Sequence, residues 1–323
     1  MDLSKVRLKH VQVEKKEQLA SDGGSEELRV VMARVRECDL DVWYERLKHV
    51  TFPTEFIPLS RDDAKAMCVA YKQKQEKAHF SALVEQLDAA IGRFGGVAFV
   101  KLSSRSPKDA TVGGEATRAL FRTHLAVSKE QDDNAKFICL NRAHIDALSV
   151  RSGAEAMALL LRSERIFDDL ELALEEGEGR WTQHLVVRKW MDMPLWCEYR
   201  GFVHGGQLTA LSQYFAPCFF AELQSEEAQR HAIDSARALL AQIRDLLPPA
   251  VVADFAVMSD GSVLLLEINP FNNYAGCGTS ACLFDWRADR EVLEGRRPFE
   301  LRIVREKAAN LKALVGQEWK PFF

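Results

Sequence analysis

Apolar residues recur along this chain with two periods, and the switches between them mark out its elements. Behind Ser60 and Asp63, which form a capping box, Arg61 to Gly92 carries apolar positions at helical spacing, with a break expected near His79. Thr51 to Leu59 just before it is expected to be extended, because Pro53 and Pro58 disfavour helix. Leu28 to Leu47 reads as helix, with a second one able to start within Cys38 to Tyr44. After Gly95-Gly96 the period changes to two, and Val97 to Leu102 is expected as a strand with Val97, Phe99 and Lys101 on one face. A helix capped by Asp109 then runs towards Val127, Asp132-Asp133-Asn134 reads as a polar turn, and Gly153 to Leu174 as one amphipathic helix. That helix should bury Ala156, Leu159, Leu160, Ile166, Phe167 and Leu170. His184 to Trp190 is the next strand, and Ser225 to Leu247 a helix stopped by Pro248-Pro249. Leu301 to Leu314 is expected as a terminal helix, and Trp319 to Phe323 as an apolar tail docked on the body.

Two hairpins concentrate the chemistry. Val251 to Asn273 reads as two apolar strands around Asp260-Gly261. With a two-residue loop Ser259 pairs with Ser262, and counting outward sets Asp254 opposite Glu267 and Val252 opposite Asn269. Asp254, Glu267 and Asn269 then project from one face, the last two roughly 7 Å apart along their strand. Opposed carboxylates repel, so a fold that keeps both needs a cation or a proton between them. Two carboxylates and an amide oxygen are hard ligands, which points to magnesium; each acid taken alone would read as a solvated rim residue. Trp196 to Val203 and Gln207 to Tyr214 form the other hairpin, around Gly205-Gly206. A two-residue loop there sets Glu198 opposite Gln213 and Arg200 opposite Leu211, so Glu198 and Arg200 share a face, as phosphate and cation ligands or as a structural ion pair.

Lysines at two further places invite an anion. Lys101 lies in line with two apolar side chains, the pattern of a snorkelling edge residue or of a phosphate ligand. Ser103 to Lys108 follows as a polar, basic loop, whose hydroxyls, backbone amides and cations suit a triphosphate as well as they suit solvent. Lys189 and Trp190 read as a phosphate ligand and its neighbour, or as an edge cation and a core aromatic.

The whole chain narrows the field. Its net charge of −4 over 323 residues argues against general nucleic-acid or membrane binding. Seven cysteines without C-x-x-C spacing suggest reduced thiols, and Cys277 and Cys282 lack the histidines of a zinc site. Met1 to Leu19 is too charged for a secretory signal, and no apolar run is long enough for a bilayer. Neither a P-loop nor a nucleophile elbow is present.

Leu266-Glu267-Ile268-Asn269-Pro270-Phe271 resembles the metal-binding strand of ATP-grasp proteins. Five further stretches resemble, in order, one branch of that superfamily, the cell division cycle protein 123 family. They are Val100-Lys101-Leu102 leading into Ser106 to Ala110, Val187 to Trp190, Glu198 to Val203, Leu211-Ser212-Gln213, and Leu283 to Trp286. Arg105, Glu267 and the Gly-Cys-rich loop after Asn273 depart from the family pattern.

The resemblance implies an α+β, ATP-grasp-like fold in which two lobes with antiparallel sheets clamp Mg-ATP. The expected division is a mobile arm over 1–27, a nucleotide-covering lobe over 28–190, and a metal lobe with a terminal helix over 191–323. Lys101, Arg188, Lys189, Trp190, Glu198 and Arg200 would hold nucleotide, and Asp254, Glu267 and Asn269 the magnesium. The implied function is a cytosolic assembly chaperone for the gamma subunit of translation initiation factor 2. The alternative is an ATP-dependent carboxylate-amine ligase working through an acyl-phosphate, with Arg200 stabilising the transferring phosphoryl group.

Overall fold

A computed structural model describes residues 35–75, 80–175, 181–271 and 279–323. The arm over 1–27, the acidic loop around Glu176 to Gly179 and most of the Gly276–Ser280 loop fall outside the described residues. The fold is α+β, as expected, with two sheets whose strands run in the order β1-β4-β2-β3 and β8-β7-β5-β6-β9. The described residues divide into two compact units: those of 35–47, Tyr199–Tyr214 and Gln229–Ile303 belong to one, and those of Lys48–Glu198, Phe215–Ala228 and Val304–Phe323 to the other.

The second of these units holds the antiparallel sheet of β1 (Thr54–Pro58), β2 (Ala98–Leu102), β3 (Ser149–Val150) and β4 (His184–Lys189). Phe99 lies opposite Arg188, and Lys101 opposite Val186. Alternation therefore sorts Phe56, Phe99, Lys101, Val186 and Arg188 to one face, and Ile57, Val100, Leu102, Leu185 and Val187 to the other. The latter face makes the main core with Met67, Leu87, Ile91, Leu160 and Leu170. These come from helices α2 (Arg61–Lys72), α3 (Ser81–Arg93), α6 (Gly153–Arg162) and α7 (Glu164–Glu175), numbered after α1 (Leu40–Leu47), α4 (Glu115–Val127) and α5 (Asp133–Asp146).

The periodicity misled in four places. Gly153 to Leu174 is two helices, because Ser163 ends α6 and its hydroxyl accepts from the Ile166 amide at the start of α7. Asp109 does not cap a helix towards Val127; it accepts from the Ser163 hydroxyl at 2.6 Å and the Arg165 amide at 3.2 Å, and so caps α7. The turn at Asp132 opens a fourteen-residue helix, α5, for which Asp132 is the N-cap through Ala135 N at 2.8 Å. The terminal helix over Leu301–Leu314 does not form. Glu300–Arg302 is instead β9, parallel to β6 (Gln207–Gln213), and beyond it the chain makes only turns and 3-10 segments. Leu311, Val315 and Trp319 keep a spacing of four, but it is tertiary packing that buries them. Val315 and Trp319 join a cluster with Phe121 and Leu140, the docked tail expected from its composition.

The first unit is built on β5 (Glu198–His204), β6, β7 (Ala250–Val257), β8 (Val263–Pro270) and β9. Helix α8 (Glu226–Ile243) buries Ala232, Ala236, Leu239, Leu240 and Ile243. One face of the sheet, with Phe202, Ala210 and Val252, packs under Ala281, Phe284, Val292 and Leu293, so the segment from Thr279 to Leu293 straps across it. Arg302 on β9 fastens the strap: its guanidinium donates to both Asp289 oxygens, at 2.7 and 2.8 Å, and lies 4.1 Å from the Phe284 ring centre. Gly201 is fixed by close approach, since a Cβ there would lie 2.6 Å from Phe255 Cε2 and 2.9 Å from Leu208 Cδ1.

Candidate functional site

The register of β7 on β8 sets Asp254 opposite Glu267 and Val252 opposite Asn269, through two irregularities that cancel. The loop holds three residues, not the expected two. Met258 N donates to Ser262 O at 2.9 Å, and Gly261 turns with φ +87. Ser262 N and its hydroxyl both donate to Asp260 Oδ1. Alone, that slip of one residue would set Asp254 opposite Leu266 and turn Glu267 and Asn269 to the other face. A bulge between Asp254 and Phe255 restores the pairing, with Leu266 the extra residue on β8. The bulge thus aims Asp254, Glu267 and Asn269 to one side.

The neighbouring hairpin departs from expectation for the same reason. Its loop is the expected two residues, with His204 opposite Gln207, but a bulge at Thr209 moves Arg200 opposite Ser212 and Gln213 opposite Tyr199. The Thr209 hydroxyl donates to the Leu293 carbonyl at 2.6 Å, tying the extra residue to the strap. Glu198 is half-buried at the start of β5, and alternation keeps it on the Arg200 side.

Arg200 supplies the cation for Asp254. Nε donates to Asp254 Oδ1 at 2.8 Å and Nη2 to Oδ2 at 2.7 Å, a bidentate pair between side chains only 6% and 4% exposed. Nη1 donates to the Ser280 carbonyl at 2.7 Å, and the guanidinium lies 5.0 Å from the Tyr214 ring centre. Burial by itself would lower the Arg200 pKa; the charge and hydrogen bonds of Asp254 outweigh it and hold the group well above its usual range. Asn269 Nδ2 reaches Asp254 Oδ2 at 3.4 Å. All three nitrogens of Arg200 are thus spent on positioning Asp254 and the strap, a role its place in the sequence did not reveal. Glu267 and Asn269 are half-buried. Nearby, burial first and then the charges of Asp39, Glu37 and Glu267 push the Cys38 thiol up to about 12.

In the other unit Lys101 and Arg188 are both buried, at 3% and 6% exposure, on the sheet face away from the main core. Arg188 Nη2 donates to the Thr51 hydroxyl at 2.7 Å, and its guanidinium lies 4.7 Å from the Phe52 ring centre. Lys189 and Trp190 are not brought to them: Lys189 is exposed on the side of Leu185 and Val187, and Trp190 packs against the main core. No three His, Cys, Asp or Glu side chains cluster at metal-binding distance among the described residues. Likewise no described helix is long and apolar enough to cross a membrane, and no described cysteine forms a disulfide.

A RimK-domain ATP-grasp protein from Sphaerobacter thermophilus aligns weakly, with a TM-score of 0.39 at 12% identity over 82% of this chain and 67% of that one. The structure of Cdc123 from Schizosaccharomyces pombe superposes with a TM-score of 0.63 at 19% identity, over 85% of this chain and 98% of that one, and so shares its fold. A translation initiation factor eIF2 assembly protein of Candida albicans is 24% identical over 236 residues, 66% of this chain, and this chain spans 57% of that relative's length. The D123 family model matches residues 132–318, more than half of the chain, which therefore belongs to the D123 family.

Proposed function

We propose that this chain binds Mg-ATP and acts as a cytosolic assembly chaperone for translation initiation factor 2 through its gamma subunit. The observation that carries the nucleotide half is the opposed pair of Asp254 and Glu267, with Asn269 on the same face and Arg200 holding Asp254 still. This donor set suits magnesium. Asp254 Oδ1 keeps a lone pair beyond its bond to Arg200, and Glu267 and Asn269 add a carboxylate and an amide oxygen. Three such ligands leave coordination positions that magnesium fills from phosphates and water. Bound there, the ion neutralises the triphosphate and fixes its orientation.

Lys101 and Arg188, diagonal across adjacent strands on one face of the other unit's sheet, form a basic pair of the kind that suits an anion. Glu198 shares the side of Arg200 and orients the cationic groups around the phosphates. Arg200 acts as a positioning residue: its nitrogens are committed to Asp254 and Ser280, which favours the chaperone over the ligase, where it would have to follow a moving phosphoryl group.

Membership of the D123 family and the similarity to an eIF2 assembly protein of Candida albicans support translation initiation factor 2 as the partner. The test is co-elution of the purified chain with recombinant gamma subunit in Mg-ATP. A stoichiometric complex is expected, and no complex with or without nucleotide would overturn the assignment.

A further inference from the structure

The loop from Ser103 to Lys108 is tied to helix α7 at two points. At its far end Asp109 caps the helix through Ser163 and Arg165. At its near end Asp169 gathers two consecutive loop residues: the Ser104 hydroxyl donates to Oδ2 at 2.7 Å, and Arg105 Nε lies 3.1 and 3.2 Å from the two oxygens. Arg105 Nη2 adds an ion pair at 3.1 Å, with side-chain exposures of 29% for Arg105 and 16% for Asp169. A turn closed by Leu102 N on Arg105 O at 2.9 Å holds the backbone between them. Ser103, two residues after Lys101 and just past the end of β2, is 2% exposed, and its hydroxyl has no hydrogen-bond partner among the described residues. A buried hydroxyl left so is costly, and the cost is removed when it meets an acceptor such as a phosphate oxygen.

We infer that Asp169 is a positioning residue for polyphosphate binding: it holds Ser104 and Arg105 so that the Ser103–Lys108 loop presents its hydroxyls, amides and cations to the phosphates of the nucleotide. The inference rests on the Mg-ATP reading above. It concerns the phosphates only, so the nucleoside end of the ligand is untouched by it. Asp169, more than sixty positions from Arg105 in sequence, gives its guanidinium a fixed direction.

The test measures Mg-ATP and AMP affinities by competition against a fluorescent ATP analogue, in the full chain, for the wild type, Asp169→Ala, Asp169→Asn and the charge swap Arg105→Asp with Asp169→Arg. Failure of the wild type to bind Mg-ATP would overturn the Mg-ATP reading itself. With a binding wild type, Asp169→Ala should weaken Mg-ATP about tenfold and leave AMP within about twofold, a selective loss that general destabilisation would not give. Asp169→Asn, which keeps an acceptor for Ser104 and hence the loop's packing, should show a loss of the same sign. The charge swap should recover thermal stability, yet not ATP affinity, because the guanidinium then sits on the helix. ATP affinity unchanged or raised in both Asp169 variants, an equal loss for AMP, or recovery of ATP binding by the swap would each overturn the inference.

Discussion

Replacing Arg200 with methionine should be among the most damaging single changes in the first unit, and its cost follows from the burial of Asp254. Two unit charges about 4 Å apart attract by about 4 kcal/mol at an effective dielectric constant near 20. Their side chains are 6% and 4% exposed, so water does not screen the pair. Arg200→Met leaves the Asp254 carboxylate, 3% exposed, without its bidentate donor and loses the tie to the Ser280 carbonyl as well. Breaking a buried pair from one side typically costs 3–5 kcal/mol, and about 4 kcal/mol is expected here. Pairing it with Asp254→Leu removes the stranded charge, so the double variant should recover at least about 2 kcal/mol. Urea unfolding, with hydrogen exchange of the β5 and β7 amides to localise the change, checks both. The reasoning fails if Arg200→Met lies within about 1 kcal/mol of wild type, or if the double variant is no more stable than the single one.

Gly201→Ala should cost about 1–3 kcal/mol in the same unfolding experiment, because the new methyl meets Phe255 and Leu208 inside contact distance. Gly92→Ala is the control: it sits in helix α3 with no atom within 4 Å of its Cβ, and should be neutral or stabilising. Acid should loosen the strap. The hydrogen bonds from Arg302 depress the Asp289 pKa, so the stability this pair gives is fully present above about pH 4 and is lost as pH falls through the lower folded value. Amide exchange of the Thr279–Leu293 strap, followed downward from about pH 5, should accelerate in the wild type and change less in Asp289→Asn.

The parts of the site that depend only on alternation were legible in the sequence. Glu267 and Asn269 on one face and the shared face of Glu198 and Arg200 follow from a period of two, whereas Asp254 stands opposite Glu267 as counted only because the three-residue loop and the bulge cancel. Which residue supplies the cation for Asp254 did not follow, because β5 joins β7 across nearly fifty residues and nothing local couples Arg200 to Asp254. The bulges at Leu266 and Thr209 left no mark either. The first returned the register to the counted one, and the second moved Arg200 from Leu211 to Ser212. Ser163 shows how a helix can hide its break: the apolar stripe runs on through it, and only the hydroxyl and Asp109 end one helix and begin another. The C-terminal periodicity was real but tertiary, the spacing of Leu311, Val315 and Trp319 being set by burial.

The central claim is that the acidic face of β7 and β8 holds the magnesium of a bound nucleotide. Its most direct test is a calorimetric titration of the full chain with ATP in magnesium and in EDTA, for the wild type and Glu267→Ala. The account predicts a one-to-one complex that needs magnesium, and a loss of at least about tenfold in affinity in a Glu267→Ala protein that unfolds at the wild-type temperature. Mg-ATP binding that is as tight without Glu267, or as tight in EDTA, would contradict it.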